Sequence, residues 1–285
     1  MGRASKDKRD IYYRKAKEEG YRARSAYKLL QIDEEFGIFE GVNRAIDLCA
    51  APGSWSQVLS KRLGGTGCRI VAVDLQEMAP VEHVRIVQGD ITTESTAMEV
   101  ISHLGNEKAQ LVVCDGAPDV TGMHELDEYV QHQLLLAALN ITTFVLEHGG
   151  CFVAKIFRGP NTPFLTAKSE VFFENVTVVK PKSSRNASME SFLLCQNYRP
   201  PVGFQPAMMN PLMQVDGYFP SGANTFADAE QQKVMKFLIC GDLSAPDADM
   251  CYDRERGAPV LAPSHPPTQA PYLESIEDRK RRRGE

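Results

Sequence analysis

Two charged residues stand where very apolar runs end. Asp115 closes the run VVCD, and Lys155 sits late in CFVAKIFRG. Lysine is seldom buried without a partner. An amine emerging from an apolar strand, opposite a carboxylate from the neighbouring strand, has the make-up of a reaction centre. A purely structural Asp–Lys pair tying two strand ends is the competing reading, and residue types alone leave both open. Three further acids share this placement: Asp47 in AIDL, Asp74 at the end of VAVD, and Asp90 in QGD. Singly, each reads as a turn or cap aspartate. At successive strand ends on one rim they read as ligand groups. An acid ending a second strand accepts hydrogen bonds from ribose hydroxyls, and Asp90 is placed to accept from an adenine amino group.

The stretch from Asp47 to Gln57, DLCAAPGSWSQ, joins a strand to a helix through residues with almost no side-chain bulk. Something must approach that backbone closely, and Gly53 permits both the tight turn and the approach. The helix beginning near Trp55 turns free N–H groups toward the same crevice. A dinucleotide enzyme would carry G-x-G-x-x-G here to seat a pyrophosphate. This turn has a single glycine, and Asp47 would repel phosphate. A carboxylate suits a cation, such as the sulfonium and ammonium of S-adenosylmethionine. The later GGTG, Gly64–Gly67, reads as a helix stop.

The elements that must position these groups alternate. Strand-like runs cover 45–48, 70–74, 84–87, 111–114, 151–156, 176–179 and 192–195, with helix-like runs at 55–63, 95–105, 127–147 and 163–173. The pattern predicts an α/β fold with a mostly parallel seven-stranded sheet and helices on both faces. Its ligand crevice lies at the carboxyl ends of the strands. Upstream, a helix is expected over 6–19 and another over 25–36, capped by Ser25 and ended by Gly37 and Gly41. Beyond about residue 200, prolines break regular structure; 234–240 reads as one short element and 257–272 as extended or disordered. The expected division is 1–40, a basic helical extension; 41–200, the catalytic domain; and 201–285, a Pro-rich extension.

The 285 residues carry a formal charge of −5, but residues 1–28 hold ten Lys or Arg against four Asp or Glu. That asymmetry reads as an arm meeting a polyanion, or as a solvated helix. Tyr12, Tyr13, Tyr21 and Tyr27 interleave with its cations, an arrangement suited to stacking the bases of a single-stranded loop. Tyr27, inside the second helix, is the one best placed for the core instead. Lys180, Lys182 and Arg185 extend the positive surface or form a solvated loop. The seven cysteines are scattered without a C-x-x-C pair, which implies reduced side chains and no zinc site. No apolar run is long enough to span a bilayer. The polar, basic start MGRASKDKRD argues for a cytosolic address, with a nuclear fraction allowed. The terminal RKRRR reads as a solvated tail, an RNA contact or a nuclear signal.

DLCAAPGSWSQ, VAVDL, QGD, VVCDGAP, CFVAKIFRG and SSRNASMESF resemble, in order and spacing, the FtsJ-like ribose 2′-O-methyltransferases. The resemblance runs from residue 1 to about 200. GRASKDKRDIYYRKAKEEGYRARSAYKLLQIDEEF and FLICGDLSA look most similar to the branch that methylates riboses in the tRNA anticodon loop. It implies a Rossmann-like fold using S-adenosylmethionine, and a Lys-Asp-Lys-Glu tetrad on Lys28, Asp115, Lys155 and Glu190. It places cofactor contacts on Gly53, Trp55, Asp74, Asp90 and Asp115. It also implies an auxiliary protein, which fits the acidic bulk of the chain outside its basic arm.

A ribose hydroxyl must lose its proton as it attacks a methyl carbon. An unperturbed lysine, with pKa near 10.4, is neutral less than about 0.1% of the time at pH 7, a bias of about 4.6 kcal/mol. Burial and Lys28 would lower the Lys155 pKa, while Asp115 opposes them. Lys155 therefore acts either as a neutral base or as a cation stabilising the alkoxide. No metal is called for. Methylation of ribosomal RNA or an mRNA cap, or a non-catalytic RNA-binding scaffold, would use the same fold.

Overall fold

The computed structural model describes residues 10–118, 123–208, 236–249, 261–266 and 268. Along the chain come α1 (Ile11–Glu18), α2 (Ala26–Phe36), β1 (Arg44–Leu48), α3 (Ser54–Leu63), a 3₁₀ turn at Gly64–Thr66, β2 (Arg69–Asp74) and β3 (Val84–Gln88). They continue with α4 (Glu94–His103), β4 (Ala109–Cys114), α5 (His124–Val145), β5 (Leu146–Phe157), α6 (Thr162–Glu170), β6 (Phe173–Pro181), β7 (Glu190–Tyr198) and β8 (Phe237–Cys240).

One sheet holds all these strands in the order β3-β2-β1-β4-β5-β7-β6-β8. Only β7 runs against its neighbours; the other pairings are parallel. The expected class is present, with eight strands among the described residues where seven were expected. The eighth, β8, lies in the region read as one short element, and it pairs through Val178↔Phe237 and Pro181↔Cys240. Its place on β6 depends on a contact 59 residues away in sequence, which local pattern does not encode.

Side chains alternate across the sheet, and the two faces bury separate cores. Ile46, Leu48, Val112, Phe152, Ala154 and Leu193 pack under α4, α5 and α6. Ala45, Leu111, Val113, Val153, Phe192 and Leu194 pack under α1, α2 and α3. This parity decides where the chemistry sits. Asp47, Asp115 and Lys155 follow Ala45, Val113 and Val153 by two residues, so they belong to the α1–α3 face. Antiparallel β7 brings its start to the end of β5, pairing Lys155 with Phe192 and Phe157 with Glu190. Glu190 therefore arrives at the rim on the same face.

Three expectations change on this face. Ser25 makes no side-chain cap to α2; its Oγ instead lies 2.6 Å from Ser54 Oγ. Gly37 does close that helix, in the left-handed region at φ 62°, donating its N–H to Asp33 O. Tyr12 and Tyr21 are buried in the second core, not offered to bases; Tyr27 is buried there too, as expected, and Tyr13 is exposed. Tyr12 and Tyr27 have ring centroids 5.4 Å apart, and Tyr21 meets Tyr27 edge-on at 6.0 Å. Amphipathic rings alternating with cations in sequence were segregated by the helix period, which turned the rings inward.

The first helix begins at Ile11; positions 6–9 of the expected helix lie outside the described residues, as do most of the expected 257–272 segment and the RKRRR run. Six described cysteines are free, and Cys251 lies outside the described residues. No described helix is long and apolar enough to cross a membrane.

Candidate active site

At the carboxyl ends of β4 and β5, two amines and two carboxylates form one chain of contacts. Lys155 Nζ is 2.7 Å from Asp115 Oδ1 and donates to Asp115 O at 2.9 Å. The same ammonium is 3.8 Å from Glu190 Oε2. Glu190 then meets Lys28 Nζ, from the first turn of α2, at 2.7 Å. Ser184 Oγ donates to Glu190 Oε1 at 2.8 Å, and Lys28 stands 5.8 Å from the Phe192 ring centroid. Lys28 and Lys155 are both largely buried.

The electrostatics follow from this pairing. Burial works to raise the Glu190 pKa, but Lys28 and Lys155 outweigh it and hold the carboxyl down at about 2. Burial likewise works to lower Lys155, and Asp115 and Glu190 outweigh it, so its pKa ends above the ordinary lysine range. At neutral pH Lys155 therefore rests as an ammonium. Lys180, expected on a positive surface, is instead buried behind the site, donating to Ser188 O at 2.9 Å and Glu190 O at 2.8 Å. Burial, then the field of Arg158, lowers its pKa.

The N-terminal segment is fastened to bring Lys28 in. Asp10 caps α1, accepting from the N–H groups of Tyr12 and Tyr13 at 3.0 and 3.1 Å. Its other oxygen pairs with Arg24 and, at 3.3 Å, with Arg185. Arg24 also donates to Ser183 O in the turn preceding Glu190. Gln31 accepts from the Ser183 N–H at 2.8 Å.

Trp55 is 1% exposed; its ring lies 5.6 Å from that of Phe192, and Nε1 donates to Ser25 O at 2.9 Å. The ring thus packs α3 onto the sheet, leaving the backbone N–H in the first turn as what Trp55 can turn to a ligand.

The other half of the crevice is built from backbone. Gly53 adopts φ 100° at the start of α3. A Cβ there would lie 2.5 Å from Arg22 Nη1 and 3.0 Å from Met78 Sδ. Arg22 itself donates to Pro52 O, Ala79 O, Pro80 O and His265 O, binding the AAPG turn to the loop after β2. Asp74 ends β2 and accepts from Ala51 N–H and Gln76 N–H, each at 2.8 Å. Asp90 Oδ1 accepts from Thr92 N–H and Oγ1, the local turn geometry, leaving Oδ2 without a hydrogen bond among the described residues. Asp47 does not stand on the rim: it is fully buried, taking a 2.6 Å hydrogen bond from Ser56 Oγ on Oδ2 while Oδ1 has no partner. Burial pushes its carboxyl up to about 8.

Some residues at the site carried no signal in the sequence. Gln131 of α5 is buried and donates to Gly116 O at 3.1 Å and Lys155 O at 2.9 Å, clamping the ends of β4 and β5. Arg22 and Ser184 are likewise ordinary in their local context. Among the described residues no group of three or more His, Cys, Asp or Glu side chains could hold a metal ion.

Residues 21–198 match the model of the FtsJ-like methyltransferase family. The chain is 55% identical to the mouse protein named tRNA (cytidine(32)/guanosine(34)-2′-O)-methyltransferase, over 98% of this chain and 87% of that protein. It is 50% identical to the Schizosaccharomyces pombe protein of the same name, over 97% of each. A Neurospora crassa protein named AdoMet-dependent rRNA methyltransferase spb1 is 41% identical over 72% of this chain but 25% of its own length. Among solved structures, a Plasmodium falciparum chain described as a ribosomal RNA methyltransferase superposes with TM-score 0.58 at 26% identity, covering 64% of this chain and 100% of that one.

Proposed function

Because the chain belongs to the FtsJ-like methyltransferase family, we propose that it methylates ribose 2′-hydroxyls in the anticodon loop of tRNA, with S-adenosyl-L-methionine as methyl donor. The observation that carries this is the contact chain Lys28–Glu190–Lys155–Asp115 at the strand ends. The choice of tRNA is supported by relatives named for positions 32 and 34 that align over 97–98% of the chain, whereas the rRNA relative aligns over 72%.

The residues fit such a cofactor. Gly53, at φ 100°, makes a turn that an L side chain rarely adopts, and Asp47 holds an unpartnered buried oxygen behind the same turn. Asp74, Asp90 and the backbone of Trp55 line the approach. When bound, the cofactor supplies an electrophilic methyl group on a sulfonium. Asp115 and Glu190 hold the Lys155 ammonium on the acceptor side, where it donates to the attacking oxygen and stabilises the developing alkoxide. The hydroxyl proton passes to the Lys155 amine as that amine hands its own proton to the Asp115 carboxylate, so the ammonium ends the step as it began. Lys28 fixes Glu190, and positioning of the two reactants supplies much of the rate.

The acidic bulk of the chain and the exposed Leu238, Ile239 and Leu243 support a working complex with an auxiliary subunit. A cytosolic place of action with a nuclear share belongs to the same reading, and cell fractionation tests it.

The deciding experiment offers methyl-labelled cofactor to purified tRNA, ribosomal RNA and capped mRNA, with the full chain alone and after affinity purification from its own cells. Label is expected in tRNA, in a linkage resistant to alkali. Label confined to ribosomal RNA or cap, or none in any RNA, overturns the assignment.

A further inference from the structure

The sheet opens between β4 and β5 at the point where the reacting pair stands. Pairing between these two strands stops at Cys114↔Ala154, whereas β5 stays paired with β7 as far as Phe157↔Glu190. Asp115 and Lys155 are therefore the first residues past the β4–β5 ladder, and its backbone hydrogen bonds no longer set their spacing. Gln131 of α5 spans this gap from the opposite face of the sheet. Its Nε2 donates to Gly116 O at 3.1 Å and to Lys155 O at 2.9 Å, one carbonyl from each strand end.

The amide sits in an apolar setting. Gln131 is buried, on a helix whose Leu135 and Leu139 pack into the core. Its Oε1 is buried without a hydrogen-bond partner among the described residues. Both neighbours of Nε2 are carbonyls, which only accept, so the bridge fixes which way the amide faces. An unpaired buried oxygen works against folding. What the amide contributes against that cost is a tie between β4 and β5 beyond the end of their ladder. The same face of α5 holds the chain that leaves β5. His132 Nε2 lies 3.4 Å from Phe157 O, and the Asn161 N–H donates to Glu128 Oε1 at 3.5 Å.

We propose that Gln131 is a positioning residue: by bridging Gly116 O and Lys155 O it sets the approach of Asp115 to Lys155, and with it the rate of methyl transfer. The proposal rests on the reading of the protein as an RNA methyltransferase. Asp115 meets the Lys155 ammonium through Oδ1 at 2.7 Å and through its own carbonyl at 2.9 Å. Both contacts cross the gap that Gln131 spans, so parting the strand ends by a fraction of an ångström weakens both.

The test uses the full chain, in its complex where one forms, and compares wild type, Gln131→Met, Gln131→Asn and Leu139→Ala. Gln131→Met keeps the length of the side chain and removes both donors. Gln131→Asn keeps the amide on a stem one methylene shorter. Leu139→Ala opens a cavity under the same helix and measures what lost stability does by itself. The kcat and KM for tRNA, calorimetric affinity for S-adenosylmethionine and urea unfolding are measured together. Gln131→Met is expected to lower kcat about ten- to hundredfold, as for a small displacement of a reacting group, with KM and cofactor affinity within about twofold of wild type. Gln131→Asn should lie between, and Leu139→Ala should lose stability but keep its kcat. A kcat in Gln131→Met no lower than that of Leu139→Ala overturns the proposal. So does a wild-type kcat in Gln131→Asn, the variant that decides should the methionine protein not fold. A second readout needs no RNA: the Lys155 ammonium is titrated by NMR in protein with isotope-labelled lysine, its signal identified by its absence in Lys155→Met. That ammonium faces Asp115 from β4 and Glu190 from β7, with Lys28 of α2 beyond Glu190. With Asp115 farther off, its titration should move to lower pH in Gln131→Met, and an unmoved titration overturns the proposal. A wild type that transfers no methyl group to any RNA breaks the functional assignment, while the titration still decides Gln131.

Discussion

The two halves of the crevice are held by different kinds of bond. On the β1–β3 side, Gly53, Asp74 and Asp90 are fixed by backbone groups within 25 residues of themselves or by their own turns. On the β5–β7 side, Lys28, Lys155, Glu190 and Asp115 are fixed by one another, across up to 162 residues of chain. The first half is a mould of backbone turns, with Arg22 tying the AAPG turn to the loop after β2. The second is an electrostatic network that exists only once the sheet and the N-terminal helices have closed on it. The mould suits recognition of a cofactor, and the network suits a step in which charge moves.

If that contrast is right, damage on each side has its own signature. The largest expected effect is on the network: Glu190→Gln leaves both lysines with a weaker partner and should lower kcat by about 10² or more, with cofactor affinity unmoved, as for a lost transition-state electrostatic contact. A combined drop in cofactor binding would erase the distinction between the halves. Next comes the mould. Gly53→Ala places a side chain at φ 100° and against Arg22. Strain of about 1–3 kcal/mol should appear mainly as a five- to hundredfold loss of cofactor affinity by calorimetry. Trp55→Phe removes the hydrogen bond to Ser25 O and should cost about 1–2 kcal/mol in urea unfolding, with a smaller effect on cofactor binding.

The last test sharpens the comparison through pH. Glu190 is depressed to about 2, so its contribution to stability is present above the unfolded carboxylate range and is lost as pH falls toward 2. Asp47 has the opposite sign. With its carboxyl raised to about 8, the folded state binds the extra proton between roughly pH 4 and 8, and stability declines as pH rises through that window. Asp47→Asn should flatten the decline in unfolding free energy between pH 5 and 8. An unaltered pH profile in that variant would show that the buried carboxyl is not the source.

The same contrast explains what could be read from the chain. DLCAAPGSWSQ and the acids at strand ends are local, and their residue types announced the tight turn at Gly53 and the placement of Asp74 at the end of β2, whereas Asp47, the acid behind the reading of a cationic ligand, is buried off the rim. Asp115 and Lys155 were legible too, since each ends an apolar strand, and the two-residue period puts them on one face. Lys28 and Glu190 were not legible from residue types. Nothing in AYKLL or SMESF marks a partner on another element, and only family resemblance singled them out. Ser25, Tyr12 and Tyr21 misled for a related reason. A serine before a helix and rings among cations carry strong local expectations, yet Ser54, Trp55 and the core claimed them. Lys180 is the same lesson in charge, a lysine in a basic loop that the fold turned inward to hold the backbone of Glu190.

The account turns on Lys155 as the group that meets the ribose oxygen. Single-turnover methyl transfer to tRNA by Lys155→Met, run beside calorimetric binding of S-adenosylmethionine, tests it most directly. Loss of transfer by about 10³ or more is expected, a share of the barrier that positioned electrostatic contacts supply, with cofactor affinity within about twofold of wild type. Transfer at an undiminished rate would contradict the account.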